Sequence, residues 1–270
     1  MTNSLWQKKL LTRITLFLVI SLFLSVAVFV PLAYIDSEIA TNVAFKIDYL
    51  ADLLEFLQQA VSLFAFAVTY SVLLYSFFAF GFKKSAFIIF ISLFMPIFKN
   101  GTNLLSMWLI DGVPAINSVT FAEQLSPAIW QSVFEIIQHT LVILIFYFII
   151  RNLKKFQQIK RKAHAKIGAE FDERKGIFPF EGFYKKDNPL QKAALWSSAL
   201  IVIVRVLMRV YYDIVMFVLG VQIEEFTDIL WMMFFYVSDV FAGVICYFAI
   251  LFLLMYFDKL SEKLKVKFAN

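Results

Sequence analysis

The sequence predicts an all-α, polytopic integral membrane protein with six transmembrane helices and cytoplasmic N- and C-termini. Three observations predict it. Of 270 residues, 61% are hydrophobic and 18% aromatic, whereas soluble domains run at ~45–50% apolar. The apolar residues gather into six long runs with few charges, and basic residues favour every second connecting segment. About 20 residues at a rise of 1.5 Å cross the hydrocarbon core. A backbone in lipid must satisfy its own hydrogen bonds, so each run reads as a helix. Residues 1–270 form one transmembrane domain, because the largest connection, the basic loop 151–192, is too short for a core of its own.

The first span, Ile14–Ile35, follows Lys8, Lys9 and Arg13. That basic flank would suit a signal peptide. The apolar run, however, exceeds the ~7–15 residues of a signal core and no small-x-small cleavage site follows, which predicts a retained helix. The second span, Leu57–Phe80, is led by an amphipathic stretch over 45–59. Ile47, Leu50, Leu54 and Leu57 fall on one side of it, and Asp48, Asp52, Glu55 and Gln59 on the other. The acidic side is a solvated or interfacial face, or a vestibule that concentrates cations. The first two spans carry no charge and read as scaffold or lipid-facing helices.

The third span, Ala86–Ile110, contains Pro96 and Gly101 with Lys99 and Asn100 between them. Pro96 removes a backbone donor and Gly101 loosens the turn, so the helix is kinked or unwound near mid-membrane. Interrupted spans of this kind point to transporter binding sites. The fourth span, Ile129–Ile150, is expected to start with Ser126 as N-cap and Pro127 at the first helical position. Its basic continuation runs from Arg151 to about Phe171. The segment from Gly176 to Lys186 sets aromatics beside lysines, as at a headgroup interface. Asn188-Pro189-Leu190-Gln191 reads as a cap, a first-turn proline and a glutamine at the third position, starting the fifth span, Ala193–Val221. The sixth span, Ile229–Phe257, holds the one cysteine, Cys246, which excludes an internal disulfide and reads as a packed thiol.

Charge sets orientation. Segments 1–13, 81–85, 151–192 and 258–270 hold 21 of the 25 Lys and Arg; the alternate segments hold Lys46 alone and ten acids. The positive-inside rule then places both termini and the 151–192 loop in the cytoplasm, with the protein in the plasma membrane, or the inner membrane of a bacterium. The net charge of +5 follows this topology, so it is no sign of a nucleic-acid partner. The loop 151–192 offers a docking surface to a cytoplasmic partner, and the lipid-facing surface leaves room for an oligomer.

Seven ionisable residues lie inside the spans: Lys99, Glu135, His139, Arg205, Arg209, Asp213 and Asp239. A charge at the bilayer centre costs at least ~2.5–3.5 kcal/mol, so such residues pair and mark function. Three cations and three anions beside the histidine suggest one internally neutral cluster in spans three to six. Counting depth from the span ends predicts that Arg205 or Lys99 pairs with Asp239 and that Glu135 faces Arg209. Arg209 can also pair with Asp213 one turn on.

The leading expectation is a membrane transport protein, or a transporter's membrane subunit. Lys99, Asn100, Glu135, His139, Arg205, Arg209, Asp213 and Asp239 would bind a small polar or charged solute or relay protons. One alternative is an intramembrane enzyme acting on a lipid or peptide through Glu135 and His139. The other is a non-catalytic assembly subunit whose ion pairs are structural. Glu135 and His139 alone are too few for a metal site, so no metal or cofactor is called for. No Walker, Rossmann, Gly-x-Ser-x-Gly or His-Glu-x-x-His motif occurs.

Overall fold

A computed structural model describes residues 2–41, 48–111, 119–166, 188–218 and 226–269. These form six α-helices: α1 (Thr2–Thr41), α2 (Asp48–Ala79), α3 (Ala86–Asp111), α4 (Val119–Lys166), α5 (Pro189–Val218) and α6 (Phe226–Ala269). Five of them, α2 to α6, hold stretches long and apolar enough to cross a membrane. The chain is therefore a membrane-embedded, all-helical protein.

The five helices α1, α3, α4, α5 and α6 form a closed ring, each packed on its two ring neighbours, and α2 runs up the middle touching all five. Burial confirms the arrangement: 78% of Ala60–Ala79 is buried, against 28–44% of the other four apolar stretches. Of the two readings of the second span, scaffold or lipid-facing, the central place fits scaffold. Its sequence suits the central place, because small residues let neighbouring backbones approach closely. Ala65, Ala67, Thr69, Ser71 and Ser76 are all buried. The three hydroxyls donate to carbonyls one turn back, Thr69 to Ala65, Ser71 to Ala67 and Ser76 to Leu73, so they can sit in an apolar core without stranded donors. Around them pack Leu10, Ile14 and Leu18 of α1, Phe146 of α4, Ile201 of α5 and Ile250 and Phe257 of α6, all with at most 1% exposure. Large apolar side chains also cover the outside. On α3 they form a stripe from Phe87 through Phe90, Phe94 and Ile97, a contiguous apolar surface suited to lipid.

Helix ends and joins agree with the sequence in part. Asn188 Oδ1 accepts from the backbone N–H of Leu190 at 2.9 Å and of Gln191 at 3.4 Å, so the expected cap does start α5 at Pro189. α2 ends at a glycine cap, where Gly81 takes φ +82° and its N–H donates to the carbonyl of Phe77. A 3-10 turn, Lys83–Ser85, then leads into α3. α3 stays helical through Pro96 and Gly101, so the break is at most a local bend. α4 begins at Val119, seven residues before Ser126. Ser126-Pro127 is thus inside the helix, because a proline removes one bond to the preceding turn and need not start a helix. α4 does run on as a basic helix, to Lys166. The side chains of 48–59 and the segment 167–187 lie outside the described residues, as do the vestibule and headgroup readings that rest on them.

α5 and α6 cross tightly at Gly243, where a Cβ would overlap Val202 Cγ2 and lie 3.5 Å from the carbonyl of Ser198. Valine is stiff at χ1 in a helix, so the overlap is not relieved by a free rotation. Gly243→Leu is expected to destabilise the protein by ~1–3 kcal/mol, with Gly243→Ala milder, as read by thermal unfolding in detergent. An unchanged melting temperature for Gly243→Leu would refute the close crossing.

Candidate functional site

The described charged side chains of spans three to six are gathered into two groups, one on α3 and α4 against α2, the other on α5 and α6. In the first, Lys99 Nζ lies 2.9 Å from Glu135 Oε1, with the two side chains 8% and 7% exposed. α3 packs directly on α4, and a lysine stem is long enough to bring its ammonium across that contact. The pair is not left bare. Glu135 Oε1 also accepts from Gln131 Nε2 at 3.2 Å, one turn back on α4. Lys99 donates to Ser62 Oγ of α2 at 3.5 Å and sits 5.4 Å from the centre of the Phe66 ring. Beside it, Asn100 Nδ2 donates to Ser132 Oγ at 3.1 Å. A charge-assisted hydrogen bond in this low-dielectric setting is roughly twice as strong as a neutral one, which offsets part of the cost of burial.

His139 is fully buried one turn beyond Glu135. Its ring sits between Phe66 and Tyr70 of α2, with centroids 5.6 and 5.4 Å away. Nδ1 is 2.7 Å from the carbonyl of Glu135. A carbonyl only accepts, so Nδ1 carries the hydrogen and the neutral ring keeps its lone pair on Nε2. Among the described residues, nothing hydrogen-bonds Nε2. It is a buried lone pair with no partner among the described residues. No third His, Cys, Asp or Glu side chain joins Glu135 and His139 among the described residues, so they are two donors of a set that would need others to hold a metal.

In the second group, Asp239 is 1% exposed and lies between two arginines. Arg205 Nε is 2.8 Å from Oδ1 and Arg209 Nε is 3.1 Å from Oδ2. The two contacts differ in kind. Arg209 donates a directed hydrogen bond, whereas the Arg205 contact lacks hydrogen-bond geometry and Oδ1 accepts none among the described residues. Arg209 also stacks its guanidinium 4.6 Å from the centre of the Phe235 ring, a placement that suits a planar cation. The arginine side chains are 23% and 25% exposed, so they run from the buried carboxylate toward the bundle surface. Asp213 stands one turn beyond Arg209 on α5, but its side chain lies outside the described residues.

Two sequence expectations change. Arg205 does meet Asp239, but Glu135 faces Lys99 and not Arg209, which joins Asp239 instead. Among the described side chains the expected single network is two, one across α3–α4 and one across α5–α6, although α4 also packs on α5. Depth along the membrane normal gave the heights of the charges, but not which helices are neighbours. Several site residues went unnoticed in the sequence. Gln131 and Gln138 continue the Glu135/His139 face of α4, at spacings of four, three and one. Gln138 is buried and donates to Tyr70 Oη at 2.7 Å. That i, i+4, i+7, i+8 polar stripe was a readable signal. Ser62, Phe66 and Tyr70 of α2 gave no comparable one. Cys246 is buried, as expected of a packed thiol.

The fold and these sites define a class: a membrane-embedded helical bundle with paired charges among its apolar helices. No protein-family model, no curated protein and no solved structure matches the chain.

Proposed function

We propose that this is a membrane transport protein, or the membrane subunit of one, crossing the plasma membrane six times with both termini cytoplasmic. α1 would supply the sixth crossing beside the five long apolar helices, and the partition of Lys and Arg supplies the orientation. One observation carries the reading: a buried Lys99–Glu135 pair one helical turn from an imidazole whose Nε2 has no partner among the described residues. Ionisable groups held inside a membrane bundle are costly and recur where protons or charged solutes pass. In this arrangement His139 Nε2 accepts a proton, Glu135 exchanges its bond to Lys99 for a solute cation or a proton, and Lys99 is released to an anionic group. The solute is small and polar or charged.

The test is solute-dependent proton movement. Proteoliposomes loaded with a pH-reporting dye would be challenged with amino acids, organic anions and phosphorylated solutes. Wild-type protein is expected to move protons with at least one class, while Glu135→Gln and His139→Gln, purified as folded protein, lose at least ~99% of the rate, the scale of one lost proton-transfer group. Flux unchanged in both variants, or none with any solute class, would overturn the assignment.

A second reading, an assembly subunit with structural ion pairs, is favoured by the α5–α6 group. One buried carboxylate bridging two arginines of the adjacent helix fixes the rotation of α5 against α6, the best-attested use of buried ionic groups. The two readings can hold for the two groups separately.

A further inference from the structure

Ser62, Phe66 and Tyr70 follow one another along α2 at successive i+4 steps, so one face of the central helix carries all three. That face lies along the first charged group. Ser62 Oγ accepts from Lys99, the Phe66 ring borders both Lys99 and His139, and the Tyr70 ring borders His139. Tyr70 is fully buried, and its Oη accepts from Gln138 Nε2 at 2.7 Å. Gln138 directly precedes His139 on α4 and is itself buried. Phe146 of α4 meets the Tyr70 ring edge-on, with centroids 6.4 Å apart and an interplanar angle of 89°. Tyr70 is therefore held at its hydroxyl by one residue of α4 and at its ring by another.

The imidazole of His139 needs such a wall. Its outer torsion is broad and roughly two-fold, so the side chain alone does not choose between two ring orientations. One orientation puts Nδ1 2.7 Å from the carbonyl of Glu135. A half-turn would put a ring carbon there and strand the Nδ1 hydrogen. The Phe66 and Tyr70 rings, with centroids 5.6 and 5.4 Å away, pack against the imidazole and resist that half-turn. We propose that Tyr70, fixed by Gln138, is a positioning residue for His139: it keeps Nδ1 on the Glu135 carbonyl and Nε2 as the nitrogen that takes the proton. The inference rests on the reading of His139 as a proton acceptor, and extends it to a bond between α2 and α4 that this reading does not use.

The test uses the full chain carrying His164→Gln, which leaves His139 as the one histidine. Histidine labelled with nitrogen-15 in the ring is read by magnetic resonance in lipid nanodiscs. This parent is expected to give one set of ring signals, with hydrogen on Nδ1 alone. Tyr70→Phe keeps the ring and removes the hydroxyl; Gln138→Leu removes the donor. Each is expected to show both tautomers, or ring signals broadened by exchange. In proteoliposomes each should slow proton movement at least about tenfold, within the ~100-fold that a misplaced reacting group can cost, while the solute KM is unchanged. The double variant Tyr70→Phe/Gln138→Leu strands no polar group. A purely structural bond predicts that it regains both the single tautomer and the rate, whereas the positioning role predicts that it regains neither. A single Nδ1 tautomer in both single variants, or a double variant with the parent's tautomer and rate, overturns the proposal. A parent that moves no protons overturns the transport reading instead, and the ring signals still decide whether Tyr70 positions His139.

Discussion

Asp239→Asn is expected to be among the most destabilising single substitutions in the embedded part of the protein. Asp239 is 1% exposed and is the described carboxylate partner of both Arg205 and Arg209. Neutralising it leaves two guanidinium groups beside each other with their shared counter-charge gone. Breaking a buried ion pair by removing one partner costs ~3–5 kcal/mol, because the remaining charge stays desolvated. The arginines are about a quarter exposed, so some of that cost is relieved by turning toward headgroups or water, and about 3 kcal/mol is expected. Asp239→Glu should keep part of the stability, since the carboxylate remains. Adding Arg205→Gln and Arg209→Gln to Asp239→Asn should recover part of it as well, since no stranded cation is left. The measurement is unfolding in detergent or by steric trapping in bilayers. An Asp239→Asn protein as stable as wild type would show that the bridge contributes nothing to holding α5 on α6.

Which features were legible in the sequence follows from the range of the forces that write them. The Asn188 cap was legible because a short side chain closes on its own backbone two residues ahead, a strictly local event. Ser126-Pro127 carried the same signature and misled, since a proline is tolerated inside a helix when neighbouring groups satisfy the freed carbonyl. The charges were legible as a set because a charge in an apolar run is conspicuous whatever surrounds it. Their partners were not, because pairing depends on which face of a helix meets which neighbour, and nothing local to α4, which packs on both α3 and α5, tells Glu135 that it faces α3. The central place of α2 was hidden for a related reason. A helix apolar on all sides is equally at home in lipid and in the middle of a bundle. What separates the two is a scatter of Ala, Ser and Thr in place of outward-facing Phe and Leu, as the contrast of α2 with the Phe87–Ile97 face of α3 now makes plain.

The Lys99–Glu135 pair allows stability and function to be separated in one experiment. Lys99→Met alone leaves a carboxylate 7% exposed and held by Gln131 alone among the described residues, and Glu135→Gln alone leaves an ammonium with Ser62 and the Phe66 ring. Each single change should cost ~3 kcal/mol. The double variant Lys99→Met/Glu135→Gln strands no charge, so it should cost no more than either single change, which corresponds to a coupling of about 3 kcal/mol in the unfolding free energies. That figure exceeds the ~0.6 kcal/mol average for interhelical hydrogen bonds in membranes, because both partners here are ionised. Additivity within ~0.5 kcal/mol would refute a direct pair. The double variant then decides what the pair is for. If the charges only orient α3 against α4, a folded double variant keeps its transport rate. If Glu135 exchanges its bond for a proton or a solute, the same folded protein is inactive, since neither methionine nor the glutamine amide can take up or give up a proton at that place. A stable, inactive double variant is the expected result.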